Sequence, residues 1–229
     1  MNTLYLVRHG ENPANLTKEM SYRKVDYSLT EKGVLQAQQT AAHFIGRGIN
    51  EIYTSPLKRA HETAQIIAET LDLPFTVVED FREVNVGSLE GQPVTESLWK
   101  THNQIIHGWF AGQTHLRFPD GETMPELVER FTLSLQPILK RAPDRRIILV
   151  GHGGTFLFST PTLCPQVSFA DLIKIENSNC SISEIHMPDI STGFSGQLQR
   201  WAYSGHLSGY AAEFVSGVPR PGELTQQDG

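Results

Sequence analysis

Leu6-Val7-Arg8-His9-Gly10-Glu11 decides the reading of this chain. The apolar run from Leu4 to Val7 predicts a short buried strand. An arginine and a histidine stand where that strand ends, and Gly10 lets the backbone turn sharply. The open ends of strands are where α/β sheets bind ligands. Arg8 offers a rigid fork of donors suited to phosphate, and His9 offers a nitrogen nucleophile near neutral pH. The pair points to phosphate chemistry without a metal, because Arg8 would repel a cation beside it. Taken alone, the same tripeptide also reads as a strand-end turn with an exposed histidine.

Two later stretches repeat the pattern. Ile52-Tyr53-Thr54-Ser55-Pro56-Leu57-Lys58-Arg59 is a strand running into a helix, and Ile147-Ile148-Leu149-Val150-Gly151-His152-Gly153-Gly154 is a strand ending in histidine and glycines. Each delivers a cationic or imidazole group at its C-terminal end. Strand and helix patterns alternate along the chain. They predict an α/β fold: a three-layer sandwich with a mostly parallel central sheet flanked by helices, and a small cap inserted after the fourth strand.

The polar stretch 12–28 reads as a loop near the site. Thr30 is placed to cap a helix whose Val34, Ala37 and Ala41 recur at helical spacing, and Gly46 and Gly48 end it. Ser55 as cap and Pro56 at the first position open the next helix, with Leu57, Ala60, Ala64, Ile67 and Leu71 as its buried stripe. Arg59 then falls off that stripe in the first turn, at the positive end of the helix, where an anion would bind. A strand over 75–78 is followed by a loop carrying Arg82-Glu83.

From 92 to 123 the pattern weakens. Trp99, Trp109, Phe110, Phe118, three histidines and Arg117 are scattered there, and the segment reads as a partly helical cap whose aromatics wall the leaving-group side. Thr123 with Glu126 makes a capping box for a helix to Lys140, and strands over 181–186 and 197–203 complete the sheet. The chain thus reads as a single domain over 1–229 with a cap insertion at 92–123 and a loose tail over 216–229.

Composition narrows the partners. A chain of 229 residues that is 39% hydrophobic and 19% charged fits one ordinary globule, and a net charge of −6 argues against non-specific nucleic-acid binding. No apolar run reaches membrane-span length, and no signal-peptide pattern opens the chain. Two cysteines, Cys164 and Cys180, give no disulfide framework, so the expected location is cytoplasmic. The expected partner is a small-molecule phosphate ester, with no nucleic acid and no membrane; a homodimer is compatible. No histidine or cysteine pair has metal-site spacing, and Gly151-His152-Gly153-Gly154 lacks the dinucleotide spacing, so neither metal nor cofactor is expected.

With these residues in hand, the chain resembles the histidine phosphatase superfamily, its phosphoglycerate-mutase-like branch, from Leu4 to about His206. The resemblance rests on Arg8-His9-Gly10-Glu11, Asn15, Leu29-Thr30 with Gly33 and Gln36-Ala37, Ser55-Pro56 with Arg59, Arg82-Glu83 with Gly87 and Glu90-Gly91, Pro119 with Gly121-Glu122, and Gly151-His152-Gly153-Gly154. One position departs. The family commonly has serine or threonine three residues after the nucleophile, where this chain has Asn12, whose amide can still donate to phosphate.

The implied chemistry assigns His9 as nucleophile and Arg8, Asn15, Arg59, His152 and the Gly153 amide as ligands of the phosphoryl group. Glu83 matches the family's proton donor. Glu11 is the competing carboxylate, read as a structural partner of an arginine. The remaining histidines read as surface or packing residues, with His186 on an edge strand. Arg117 in the cap could attract a second anionic group, but it reads rather as an exposed arginine.

Three functions fit: a phosphomonoesterase, a mutase that returns the group to another hydroxyl, and an inactive phosphate-binding module. The inactive module predicts loss of a core residue, yet Arg8, His9, Arg59, Glu83 and His152 are all present. The mutase is disfavoured because Arg82-Glu83-Val84-Asn85-Val86-Gly87 departs from the Glu-Arg-His-Tyr-Gly run of cofactor-dependent mutases and because the cap looks short for excluding water. The preferred reading is a metal-independent phosphomonoesterase.

Overall fold

The computed structural model describes residues 1–219 apart from Asp189 and Thr192. The first half contains β1 (Asn2–Arg8), α1 (Pro13–Thr17), α2 (Glu31–Phe44), β2 (Glu51–Thr54), α3 (Lys58–Leu71), β3 (Phe75–Val77) and α4 (Glu96–Phe110). The second contains α5 (Met124–Lys140), β4 (Arg146–Gly151), α6 (Gly153–Leu163), α7 (Phe169–Leu172), β5 (Ile182–Met187) and β6 (Gln197–Tyr203). One six-stranded sheet runs β3-β2-β4-β1-β5-β6. β1 to β4 run parallel to one another, and β5 and β6 join antiparallel, β5 against β1.

The period-two alternation of the strands sets the layers. Leu4, Leu6, Ile147 and Leu149 face one way and pack with Phe131, Leu135 and Phe156 from α5 and α6. Tyr5, Val7, Ile148 and Val150 face the other way and pack with Ala41, Phe44, Ala64 and Ile67 from α2 and α3. The sheet is therefore covered on both faces by helices, as a mostly parallel sheet requires. β1 and β4 lie side by side in register, Arg8 opposite Gly151, so the residues that follow both strands emerge together.

Several local expectations need correction. The 92–123 segment lies between the third and fourth strands, not after the fourth. The stretch after β1 is not all loop: Asn12 caps α1 in a reciprocal box with Asn15, Pro13 occupies its first turn, and polarity hid this helix. α3 begins at Lys58, and Ser55 does not cap it. The Asp26 carboxylate accepts from the Lys58 N–H at 2.8 Å instead, leaving the Ser55 hydroxyl to turn toward His152. His186 sits on β5, which is flanked by β1 and β6 and is not an edge. Of the tail read over 216–229, residues 220–229 lie outside the described residues.

Gly10 matters for a different reason from the one read in the sequence. Its φ is not in the left-handed region. A Cβ there would sit 2.6 Å from the Gly33 carbonyl oxygen, and one on Gly33 would sit 2.1 Å from that of Glu11. Two glycines thus let the start of α2 press against the segment that carries His9.

A third apolar cluster forms around α4. Trp109, Phe118, Leu127 and Phe158 are buried there, with Trp99, Met20 and Val84 at its edge. Trp109 meets Phe118 and Phe158 edge-on, at 5.4 and 5.0 Å between ring centroids, and its Nε1–H donates to the Leu116 carbonyl at 2.7 Å. The aromatics scattered through this stretch of sequence resolve into one stripe on α4 and its packing partners.

Candidate active site

The ends of β1 and β4, the start of α3 and the loop after β3 surround a cavity of about 470 Å³. Arg8, His9, Asn15, Arg59, Glu83 and Gly153 line it. His152 is fully buried behind His9, with 5.3 Å between the two ring centroids. The chain holds His9 by its backbone: its N–H donates to Gly151, and its carbonyl accepts from the Asn179 side-chain amide at 3.0 Å.

The hydrogen bonds of His9 fix its tautomer. The Arg59 Nε–H points at His9 Nε2 over 3.1 Å. A guanidinium only donates, so Nε2 is the acceptor and carries a lone pair. Nδ1 then holds the proton and donates to the Gly10 carbonyl at 2.8 Å. Burial first, then Arg59 and Arg8, hold the His9 imidazole well below the usual histidine range, so it stays neutral. His152 is pushed in the same direction by burial, Arg59 and His9. Its Nε2 is 2.7 Å from the Ser55 hydroxyl, while its Nδ1 has no protein partner.

The two arginines are held differently. Arg8 donates through Nη1 to the Asn177 carbonyl, and its Nε has no protein partner. Arg59 donates through Nη1 to the Ser21 hydroxyl and through Nη2 to the Ser21 carbonyl, at 2.8 and 3.0 Å. Burial lowers both guanidiniums, Arg59 to about 10. Both remain cationic near neutral pH.

Glu83 sits on the N-terminus of α6. Its Oε2 accepts from the Gly154 N–H at 3.1 Å, and its Oε1 accepts from the Thr155 N–H at 2.8 Å and the Thr155 hydroxyl at 3.2 Å. Arg130 positions the loop that carries it. That guanidinium donates to the carbonyls of Asp80, Arg82 and Glu83 and pairs with both oxygens of Glu122.

The remaining expectations divide. Glu11 is buried away from the cavity lining and is paired, with Lys32 at 3.1 Å rather than with an arginine. Asn12 lines the cavity; its Oδ1 caps α1, and its buried Nδ2 has no protein partner. Asn15 lines it too, with its Oδ1 engaged by Asn12 and Asn179. Arg117 does not line the cavity: it is exposed and pairs with Glu126 at 2.6 Å. Trp109 and Phe118 are absent from the lining, whereas Trp99 and His102 are in it.

Comparison with known proteins agrees with this geometry. Residues 4–197 match the family described as the histidine phosphatase superfamily (branch 1). The chain belongs to the histidine phosphatase superfamily.

Among relatives in that superfamily, a putative phosphoserine phosphatase 2 of Hydrogenobacter thermophilus is 32% identical over 187 residues, covering 82% of this chain and 90% of the relative. An uncharacterized phosphatase PhoE of Bacillus subtilis is 30% identical over 92% of this chain and 99% of its own length. A probable phosphoglycerate mutase GpmB of Yersinia pestis is 33% identical over 81% of this chain and 85% of its own. The solved structure of Bacillus stearothermophilus YhfR superposes with a TM-score of 0.75 at 26% identity, covering 90% of this chain and 99% of that one. These relatives support an enzyme of phosphatase or mutase type.

Ser21, Glu90, Arg130, Asn177 and Asn179 also shape this cavity, and no local sequence pattern assigns them a role there. In the sequence Glu90 stands out only as part of the Glu90-Gly91 pair that carries the resemblance. It is buried, and its Oε1 accepts from the N–H groups of Tyr22, Arg23, Lys24 and Val25 at 2.5–3.2 Å. It thereby fixes the turn that presents Ser21 to Arg59.

Proposed function

We propose that the chain is a phosphomonoesterase that hydrolyses small phosphate esters through a covalent phosphohistidine at His9, with Glu83 as proton donor. The observation that carries this reading is the lone pair on His9 Nε2 in a cavity lined by two guanidiniums. Arg8, Arg59, Asn15, His152 and the Gly153 amide bind the phosphoryl oxygens. The Nδ1 of His152 and the Nε of Arg8 support this assignment, because both are buried without a protein partner.

In the first step the Nε2 lone pair of His9 forms a bond to phosphorus as the ester P–O bond breaks. The released pair goes to the leaving oxygen, which takes a proton from Glu83. The Gly10 carbonyl accepts the Nδ1–H throughout and so steadies the positive charge that develops on the ring. In the second step the Glu83 carboxylate takes a proton from water as its oxygen attacks phosphorus. The N–P bond breaks, and His9 recovers its lone pair. The arginines supply the charge around the equatorial oxygens, so a divalent metal is not required.

We place the enzyme in the cytoplasm. Both thiols, Cys164 and Cys180, are free and buried, and burial pushes each up to about 12. Among the described residues, no helix is long and apolar enough to cross a membrane.

A panel of phosphate esters, assayed for free phosphate in the presence of a chelator, tests the reading. Net phosphate release is the expected result. Isomerisation of a phosphoglycerate without phosphate release would assign the mutase function instead, as the name of one relative suggests. Loss of activity to chelator, restored by a metal, would overturn the metal-independent mechanism.

A further inference from the structure

Beyond its phosphoryl end the cavity changes character. α4 contributes Trp99, His102 and Ile106, and α6 contributes Leu157 and Phe158. Trp99 and His102 pack edge-on, with 4.8 Å between ring centroids. Burial lowers the pKa of His102, so this imidazole is uncharged near neutral pH. The wall is continuous with the apolar cluster around Trp109.

The charges of the lining are unequal. Among the described residues, Arg8 and Arg59 are its only guanidinium or ammonium groups, while Glu19, Glu83 and Glu176 are its carboxylates. A bound phosphoryl dianion matches the two arginines and, among the described residues of the lining, leaves no cation for a second anion. Glu19 accepts from the Thr17 hydroxyl at 2.6 Å and the Tyr27 hydroxyl at 3.3 Å, neither of which neutralises it. Glu176 is exposed at the cavity wall. Lys18 stands outside the lining, and its ammonium donates to the carbonyls of Asn15 and Ser216 at 3.0 and 2.7 Å. Arg117 is committed to Glu126.

We infer that the leaving-group subsite selects esters of uncharged, largely apolar alcohols and rejects those whose alcohol carries a second anion. The inference rests on the phosphomonoesterase reading above and names its substrate class. Two forces act together. Trp99, Ile106, Leu157 and Phe158 gain from covering apolar surface. Glu19 repels a carboxylate brought into the partly buried cavity, where charge interactions exceed those in water, and the exposed Glu176 adds a weaker, screened repulsion. Phosphoglycerate, whose alcohol carries a carboxylate and no compensating cation, therefore fits this cavity poorly.

A matched pair of non-hydrolysable ligands tests the selectivity without turnover: 3-phenylpropylphosphonate and 3-(4-carboxyphenyl)propylphosphonate, titrated calorimetrically into the wild-type protein. The uncharged ligand should bind at least ~10-fold more tightly, the scale of one unscreened like-charge contact. In the double variant Glu19→Gln with Glu176→Gln, that ratio should shrink at least ~3-fold. Equal binding, tighter binding of the carboxylate, or a ratio unchanged in the double variant would overturn the inference. The corresponding 2-arylethyl phosphates, assayed for phosphate release, separate the two readings. If neither is hydrolysed while the phosphonate ratio holds, the phosphomonoesterase reading fails and the subsite stands.

Discussion

Arg59 Nε donates to His9 Nε2 across 3.1 Å, so the lone pair assigned to attack phosphorus is occupied when no substrate is present. On the proposed mechanism an arriving phosphoryl group competes for the same guanidinium and frees the nitrogen as it binds. Arg59→Lys keeps a charge but loses the fork that spans Ser21 and His9. Its kcat/KM should fall at least ~10²-fold, a loss typical of one preorganised donor, with both kcat and KM affected. Steady-state kinetics on one ester checks this, and near-normal kinetics would remove Arg59 from the phosphoryl site.

Acid should spare the nucleophile and weaken the fold. Burial, Arg59 and Arg8 hold His9 well below 6.5, and burial, Arg59 and His9 do the same for His152. Between those depressed values and 6.5 the unfolded chain binds more protons than the native one. Stability is therefore full above 6.5 and falls as pH drops through that window. Melting temperature measured against pH should decline below 6.5, and the decline should flatten in His152→Asn. Protonation of His9 should not limit kcat/KM until well below pH 6.5.

Glu83→Gln separates proton donation from phosphate binding. An alkyl ester needs a proton on its leaving oxygen, whereas an activated aryl phosphate does not. The variant should lose ~10²–10⁴-fold on the alkyl ester and far less on the aryl ester. Equal losses would move the acid role away from Glu83.

The aromatics of the 92–123 segment divide between packing and the cavity. Trp109 is fully buried in the cluster around α4, so Trp109→Ala should cost about 3–5 kcal/mol of stability and affect all substrates alike. Trp99 lines the cavity, and Trp99→Leu should change the ratio of kcat/KM between bulky and minimal esters by ~10-fold or more. Thermal melts beside a two-substrate comparison distinguish the outcomes.

Glu90 is expected to act at a distance. Removing its charge in Glu90→Gln weakens the grip on the N–H groups of Tyr22 to Val25 and loosens Ser21 beneath Arg59. KM for phosphate esters should rise more than kcat falls, and Glu90→Asp should recover part of the loss. A change in melting temperature with unchanged KM would leave Glu90 purely structural.

The residues that converge on the cavity were legible because each ends a strand or opens a helix. Arg8, His9 and His152 follow two parallel neighbours, and Arg59 lies in the first turn of α3. Asn179, Ser21 and Arg130 act through partners far along the chain, and such contacts leave no local spacing to read. The stripe on α4 did leave one: Trp99, His102, Ile106 and Trp109 follow i, i+3, i+7 and i+10 on a single helical face. Scattered turn residues around them obscured that periodicity. The Asn12 cap was hidden differently, since an asparagine before proline reads equally as loop and as helix start.

The central claim is the covalent bond to His9. Rapid quench of the wild-type protein turning over a ³²P-labelled ester, followed by digestion under alkaline conditions, measures it directly. The account predicts acid-labile label on the peptide that carries His9, chased by unlabelled ester at the turnover rate and absent from His9→Ala. Phosphate release without labelled protein at any quench time, or label on another residue, would contradict it.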